Sequence, residues 1–176
     1  IENPLVKGIS FTGSTAVGRQ IAAKAGAHLK KCCVELGGKN SSVVFADCDF
    51  DETVRGVARA GFANQGQICL CGSRILVEKS IQEEFTGRLV ERASAMKIGD
   101  PLEESTEVGA LVSAAHRDKV ERCLTVATQE GGTILCGGER AAPSGRCSEG
   151  YFLSPAVVTG LESNARTNQE EIFGPV

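Results

Sequence analysis

The sequence has no tryptophan, one tyrosine and one methionine, and aromatic residues make up 5% of its 176 positions. Lys and Arg number 19 against 22 Asp and Glu, a net charge of −3, and no basic stripe runs through any segment. Nucleic-acid binding needs phosphate-neutralising charge and rings on which bases stack, so that class is excluded. Apolar runs are short, so no membrane span is expected. The first residue is Ile, and no charged-then-apolar leader follows it. The two histidines, His28 and His116, lie in unrelated contexts, and no C-x-x-C pair occurs, so no metal site is expected. Of eight cysteines, Cys32 and Cys33 are adjacent and Cys69 and Cys71 are one residue apart. Such close pairs bridge only under strain, so the cysteines read as free, mostly buried thiols of a cytoplasmic protein.

What remains is ordinary globular composition, 41% hydrophobic and 23% charged. Gly8-Ile-Ser-Phe-Thr12 reads as a strand, followed by a turn at Gly13-Ser14 and a helix whose Val17, Ile21, Ala22 and Ala25 share a face, stopping at Gly26. Cys32 to Leu36 and Ser42 to Phe45 are further strands. Asp49 with Glu52 resembles a capping box, opening a helix with Val54, Val57, Ala58, Gly61 and Phe62 inward. A strand from Arg74 to Glu78 precedes a second such box at Ser80 and Glu83, with Ile81, Phe85 and Leu89 inward. A helix from about Ser113 to Glu130, carrying Val120, Leu124 and Ala127, stops at Gly131-Gly132 before the strand Thr133 to Cys136. Residues 138–150 read as a surface loop. Strands alternating with helices of this length predict a parallel α/β architecture, with a boundary at the Gly37-Gly38 turn.

Three blocks carry chemistry. Gly13-Ser-Thr-Ala-Val-Gly18 follows a strand and opens a helix, a place for a phosphate or simply a turn glycine plus a packing glycine. Glu35, among apolar neighbours at a strand end, is either a paired edge carboxylate or a general base raised in pKa by partial burial. Cys69 lies in Phe62-Ala-Asn-Gln-Gly-Gln-Ile-Cys69-Leu-Cys71, where glycine lets backbone amides approach a substrate oxygen. Cys71 shares that context and rivals it as nucleophile. No histidine accompanies the thiol, which argues against a Cys-His dyad. Glu171, ahead of Phe173-Gly-Pro175, is a surface turn carboxylate or a clamp for a ribose diol.

Phe11-Thr-Gly-Ser14 with Gly18, Glu35-Leu-Gly-Gly-Lys39, Phe62-x-Asn64-x-Gly66-Gln67-x-Cys69 and Glu170-Glu-Ile-Phe-Gly-Pro175 together resemble the aldehyde dehydrogenase superfamily, in order and spacing. Within it, Glu35 to Asn40 with Gln67 to Cys71 look most like the muconic-semialdehyde branch. The resemblance implies a three-layer, mostly parallel α/β fold present only in part. Residues 1–37 would end a dinucleotide-binding domain, and 38–176 would form a catalytic domain that continues beyond the chain. It implies Cys69 as nucleophile and Glu35 as general base. Gly13, Ser14 and Gly37 would lie at the cofactor, with Glu171 and Phe173 at its nicotinamide ribose and ring. It further implies NAD or NADP as cofactor, an aldehyde as substrate, and a homo-oligomer in full-length form. The alternative is a non-catalytic fragment or isoform acting as a binding or structural partner.

Overall fold

A computed structural model describes all residues from 1 to 176. The chain divides into two compact units, Ile1–Gly38 and Lys39–Val176.

In the first unit, β1 (Gly8–Gly13) and β2 (Lys31–Leu36) pair in parallel, joined by α1 (Thr15–Ala27). Parallel neighbours need a crossover, and α1 supplies it. Ser14 caps α1, its hydroxyl accepting from the Val17 N–H at 3.4 Å. A methyl built on Gly18 would lie 2.4 Å from a Leu36 methyl carbon, so glycine is what lets α1 settle onto β2. The helix runs past the expected stop at Gly26 to Ala27, because the break comes where Leu29 turns left-handed at φ 53°. Register places Thr12 opposite Glu35 and Gly13 opposite Leu36. The two motif blocks therefore end side by side on adjacent strands.

In the second unit, β3 (Ser41–Val44) and β4 (Arg74–Val77) pair in parallel across α2 (Phe50–Phe62). The Asp49 carboxylate caps α2 by accepting from the Glu52 N–H at 3.1 Å. Its buried positions are Val54, Val57, Ala58, Gly61 and Phe62, as the spacing predicts. They pack with Val44 against Phe85, Leu89 and Ala93 of α3 (Gln82–Ser94). The Phe85 ring, fully buried, meets Phe50 edge-on at 5.6 Å between centroids.

The box expected at Ser80 does not form. Glu78 accepts from the Ala46 N–H and from the Ser80 hydroxyl, both at 2.8 Å, so the serine is drawn away from the helix and α3 opens at Gln82 without a side-chain cap.

A second core gathers Val120 and Leu124 of α4 (Ala114–Gln129) with Leu111, Leu153, Ala156 and Ile172. Here the strands pair the other way. β5 (Thr133–Cys136) pairs antiparallel with β8 (Val157–Thr159), and β6 (Arg140–Ala141) pairs antiparallel with β7 (Phe152–Leu153). The segment joining β6 to β7 holds no crossover helix, so the chain returns directly. The expected surface loop thus contains a strand, and Arg146 within it is ion-paired to Asp100. A four-residue α5 (Arg166–Gln169) precedes the final motif. No helix is long and apolar enough to cross a membrane.

The thiols are not mostly buried. Only Cys71 is; Cys32, Cys33 and Cys69 are exposed. Cys32 and Cys33 lie on a two-stranded sheet whose unit has only α1 to cover it, which leaves their side chains in solvent.

Candidate functional site

After Phe62 the chain stops being helical in an unusual way. Asn64 and Gln65 adopt left-handed φ values of 49° and 57°, and Gly66 follows at 68°. Two successive non-glycine residues in this region are strained, costing about 1–3 kcal/mol each. Surrounding contacts hold them there. The Asn64 amide donates to the Gln67 carbonyl at 3.1 Å, and the Gln67 side-chain oxygen accepts from the Val112 N–H at 3.0 Å. The run ends in a tight turn closed by the Cys71 N–H on the Ile68 carbonyl at 3.0 Å. Cys69 is the second residue of that turn.

Cys69 and Cys71, alike in sequence context, differ in surroundings. Cys69 is exposed. Cys71 is 7% exposed, and its thiol donates to the Gly61 carbonyl at 3.0 Å. Burial pushes the Cys71 pKa up; the Lys39 ammonium pulls it down and the Glu171 carboxylate adds to the rise. A thiolate is the reactive form, so the geometry disfavours Cys71 as nucleophile and leaves Cys69 open to a substrate.

The closing motif folds back on the thiol loop. A methyl built on Gly66 would meet the Gly174 carbonyl oxygen at 2.1 Å. Phe173 is left-handed at φ 61° and half-buried. Its carbonyl oxygen lies 2.6 Å from His116 Nε2, and the His116 ring stands edge-on to the Phe173 ring at 6.0 Å. One turn further along α4, the Lys119 ammonium donates to the Ile172 carbonyl at 3.0 Å. Glu171 is half-buried rather than a surface carboxylate, and its charge acts on both Lys39 and Cys71. Its neighbour Glu170 is exposed and pairs with Arg166.

Lys39 is half-buried. Desolvation lowers its pKa, Cys71, Cys123 and Glu171 oppose that, and Arg74 adds to it. Asn40, the next residue, donates from Nδ2 to the Cys69 carbonyl at 2.7 Å and the Cys71 carbonyl at 3.4 Å. The sequence assigns no site role to His116 or Lys119 and does not show the Asn40 contact. Nothing local marks His116, which lies 57 residues from its partner; Asn40 stood within a recognised block but with no reason to single it out.

In the first unit, Gly13, Ser14, Glu35 and Gly37 cluster at the ends of β1 and β2. Glu35 is exposed, not partly buried, on a strand whose unit has only α1 to cover it. A cavity of roughly 860 Å³ runs along β4 and β8, reaching Lys39 and Gly72. Cys69, Glu171 and Phe173 do not line it, so it is not the cavity of the exposed thiol.

The aldehyde dehydrogenase family model matches residues 1–176, the whole chain. The chain belongs to the aldehyde dehydrogenase family. Similar members of that family include a 2-aminomuconic semialdehyde dehydrogenase of Danio rerio, 43% identical over all of this chain and 37% of the relative. A betaine aldehyde dehydrogenase of Brucella anthropi is 41% identical, over all of this chain and 36% of the relative. Among solved structures, an NAD-dependent aldehyde dehydrogenase from Sinorhizobium meliloti superposes with a TM-score of 0.93 at 39% identity, covering 99% of this chain and 34% of that one. A betaine aldehyde dehydrogenase from Staphylococcus aureus in complex with NAD+ superposes at 0.91 and 38% identity, covering 96% and 33%. The chain spans about a third of the length of these aldehyde dehydrogenases, and holds an α/β part of their fold with parallel strands.

Proposed function

We propose that this chain is the thiol-bearing part of an enzyme that oxidises an aldehyde to a carboxylic acid with NAD or NADP. The observation that carries the reading is the unequal pair of thiols: one exposed at the tip of a braced turn, the other buried and hydrogen-bonded. Residues 1–37 then form the end of a dinucleotide-binding domain, and 38–176 the catalytic domain. The relatives are named as dehydrogenases acting on aldehydes, which supports oxidation over a purely structural role.

The residues present fit a dinucleotide. The first turn of α1 carries no acidic side chain, so the N–H groups at its start meet a phosphate without a competing negative charge. Gly13 and Ser14 lie at that end, with Gly37 at the end of the neighbouring strand. Glu171 would accept from ribose hydroxyls, and Phe173 would set the face of the nicotinamide. When bound, the cofactor supplies the acceptor for the hydride leaving the substrate carbon.

The chain's own groups do the rest. Cys69 sulfur, as thiolate, forms a bond to the aldehyde carbon, and the Cys69 N–H supports the oxygen that becomes negative. Loss of hydride from that carbon leaves a thioester on Cys69. Glu35 takes a proton from water as the water oxygen attacks the thioester carbon; the S–C bond breaks, Cys69 leaves as the thiolate, and the carboxylic acid is released.

Relatives named for aminomuconic semialdehyde, trimethylaminobutyraldehyde and betaine aldehyde match this chain about equally, at 43%, 42% and 41% identity, so the reading stops at the aldehyde class. The test is Cys69→Ala and Glu35→Gln in the full-length protein. Cys69→Ala should abolish NADH formation from short aldehydes; Glu35→Gln should keep a single fast turnover and lose the steady state. Steady turnover surviving in Cys69→Ala would defeat the proposal.

A further inference from the structure

Asn40 has no role in the chemistry above, yet it makes the closest polar contact to the thiol turn. Its Nδ2 donates to the carbonyls of both Cys69 and Cys71, at 2.7 and 3.4 Å, across 29 and 31 residues of sequence. Its own carbonyl accepts from the Arg74 N–H at 3.1 Å, which ties the residue to the pairing of β3 with β4. One side chain thus joins a rigid strand edge to both ends of the Cys69-Leu70-Cys71 segment.

We infer that Asn40 is the positioning residue of the thiol: it fixes the peptide plane following Cys69, and through it the direction of Cα–Cβ and the sulfur. This rests on the reading of Cys69 as nucleophile. The physical requirement is specific. A primary amide has two N–H bonds diverging from one nitrogen, and the turn offers two carbonyl oxygens two residues apart. Serine reaches one at most, and aspartate presents oxygen to oxygen. The remaining anchors of the turn act on other atoms. The Cys71 N–H bond to the Ile68 carbonyl closes the turn around the Cys69–Leu70 peptide without bonding its atoms; the Cys71 thiol is held by Gly61, and the Gly72 N–H by the Ala60 carbonyl at 3.0 Å, both downstream of the sulfur. Without Asn40 the Cys69–Leu70 peptide can rotate while the fold around it stays intact. A displacement of about 1 Å at a reacting atom costs on the order of 100-fold in rate.

Asn40→Asp keeps the size and loses both donors; Asn40→Ser loses one donor and the reach, and carries the test if the aspartate variant does not fold. Both are assayed in the full-length protein beside Cys69→Ala, with melting temperature, kcat and KM per folded molecule, and the rate of Cys69 alkylation by iodoacetamide. The expected result is a fall of roughly 30- to 100-fold in kcat with KM for the cofactor within about twofold of the parent. A lowered melting temperature with unchanged kcat per folded molecule overturns the inference, as does kcat within threefold of the parent in either variant. If Cys69→Ala itself keeps turnover, the reading of the nucleophile fails first, whatever Asn40 does.

Discussion

Gly66 and the carbonyl of Gly174 touch so closely that no side chain fits between them: a methyl on Gly66 would stand 2.1 Å from the oxygen. The thiol loop and the last motif of the chain, a hundred residues apart, are therefore shaped against each other. Gly66 is also left-handed at φ 68°, so two separate constraints fall on one position.

Gly66→Ala should destabilise the chain by more than about 2 kcal/mol, the sum of left-handed strain and a backbone collision. Gly56, exposed inside α2 with nothing within 4 Å of a built methyl, is the control. Gly56→Ala should stabilise by about 0.5–1 kcal/mol through helix propensity. Urea unfolding of both variants checks the pair; equal effects would show that the Gly174 contact carries no weight.

The two neighbouring thiols should react at very different rates. At pH 8, iodoacetamide should modify Cys69 at least tenfold faster than Cys71, because the latter is buried, donates to Gly61 and has its pKa pushed up by desolvation. Fragmentation of the peptide containing both, with Leu70 between them, assigns the label. Comparable labelling would return Cys71 to contention as nucleophile.

Removing the His116 imidazole should loosen Phe173. It faces the Phe173 carbonyl at 2.6 Å and the Phe173 ring edge-on, while the backbone there is held at φ 61°. One hydrogen bond of about 0.5–1.5 kcal/mol corresponds to roughly a two- to twelvefold change in an equilibrium. His116→Ala in the full-length protein should raise KM for the cofactor within that range, with KM for the aldehyde little altered. Steady-state kinetics with each varied in turn would expose the opposite pattern.

Asp100 should titrate unusually low. The Arg146 guanidinium and the Leu102 N–H bring its carboxyl from an ordinary 3.8 to about 2. A carboxylate depressed in the folded state contributes stability above its unfolded pKa and loses it as pH falls through the folded value. The tie between the Gly99-Asp100 turn and the 145–147 turn should therefore hold at pH 4 and release near pH 2. Carboxyl NMR checks this, and Arg146→Ala should return Asp100 towards its ordinary value.

What the sequence determined by itself was local and periodic. The helix from Phe50 to Phe62 shows its buried face in the spacing of Val54, Val57 and Ala58, because a 3.6-residue repeat is written into consecutive positions. Asp49 announces its helix because a cap needs only a side chain and an N–H three residues on. The motif blocks and the family they indicate were legible for the same reason, each being a short contiguous run.

Only the tertiary structure decided what depends on partners far along the chain. Ser80 fails as a cap because Ala46 has already fixed the Glu78 carboxylate that captures it. Short strands such as Phe152–Leu153 carry too few residues for any period to show, and their direction follows from connections rather than composition. Cys69 and Cys71 share one sequence neighbourhood, and it is the packing of α2 against the turn that buries one sulfur and leaves the other in solvent. Burial is a property of three-dimensional neighbours, and those of the Cys71 thiol include Lys39 and Glu171, far from it along the chain.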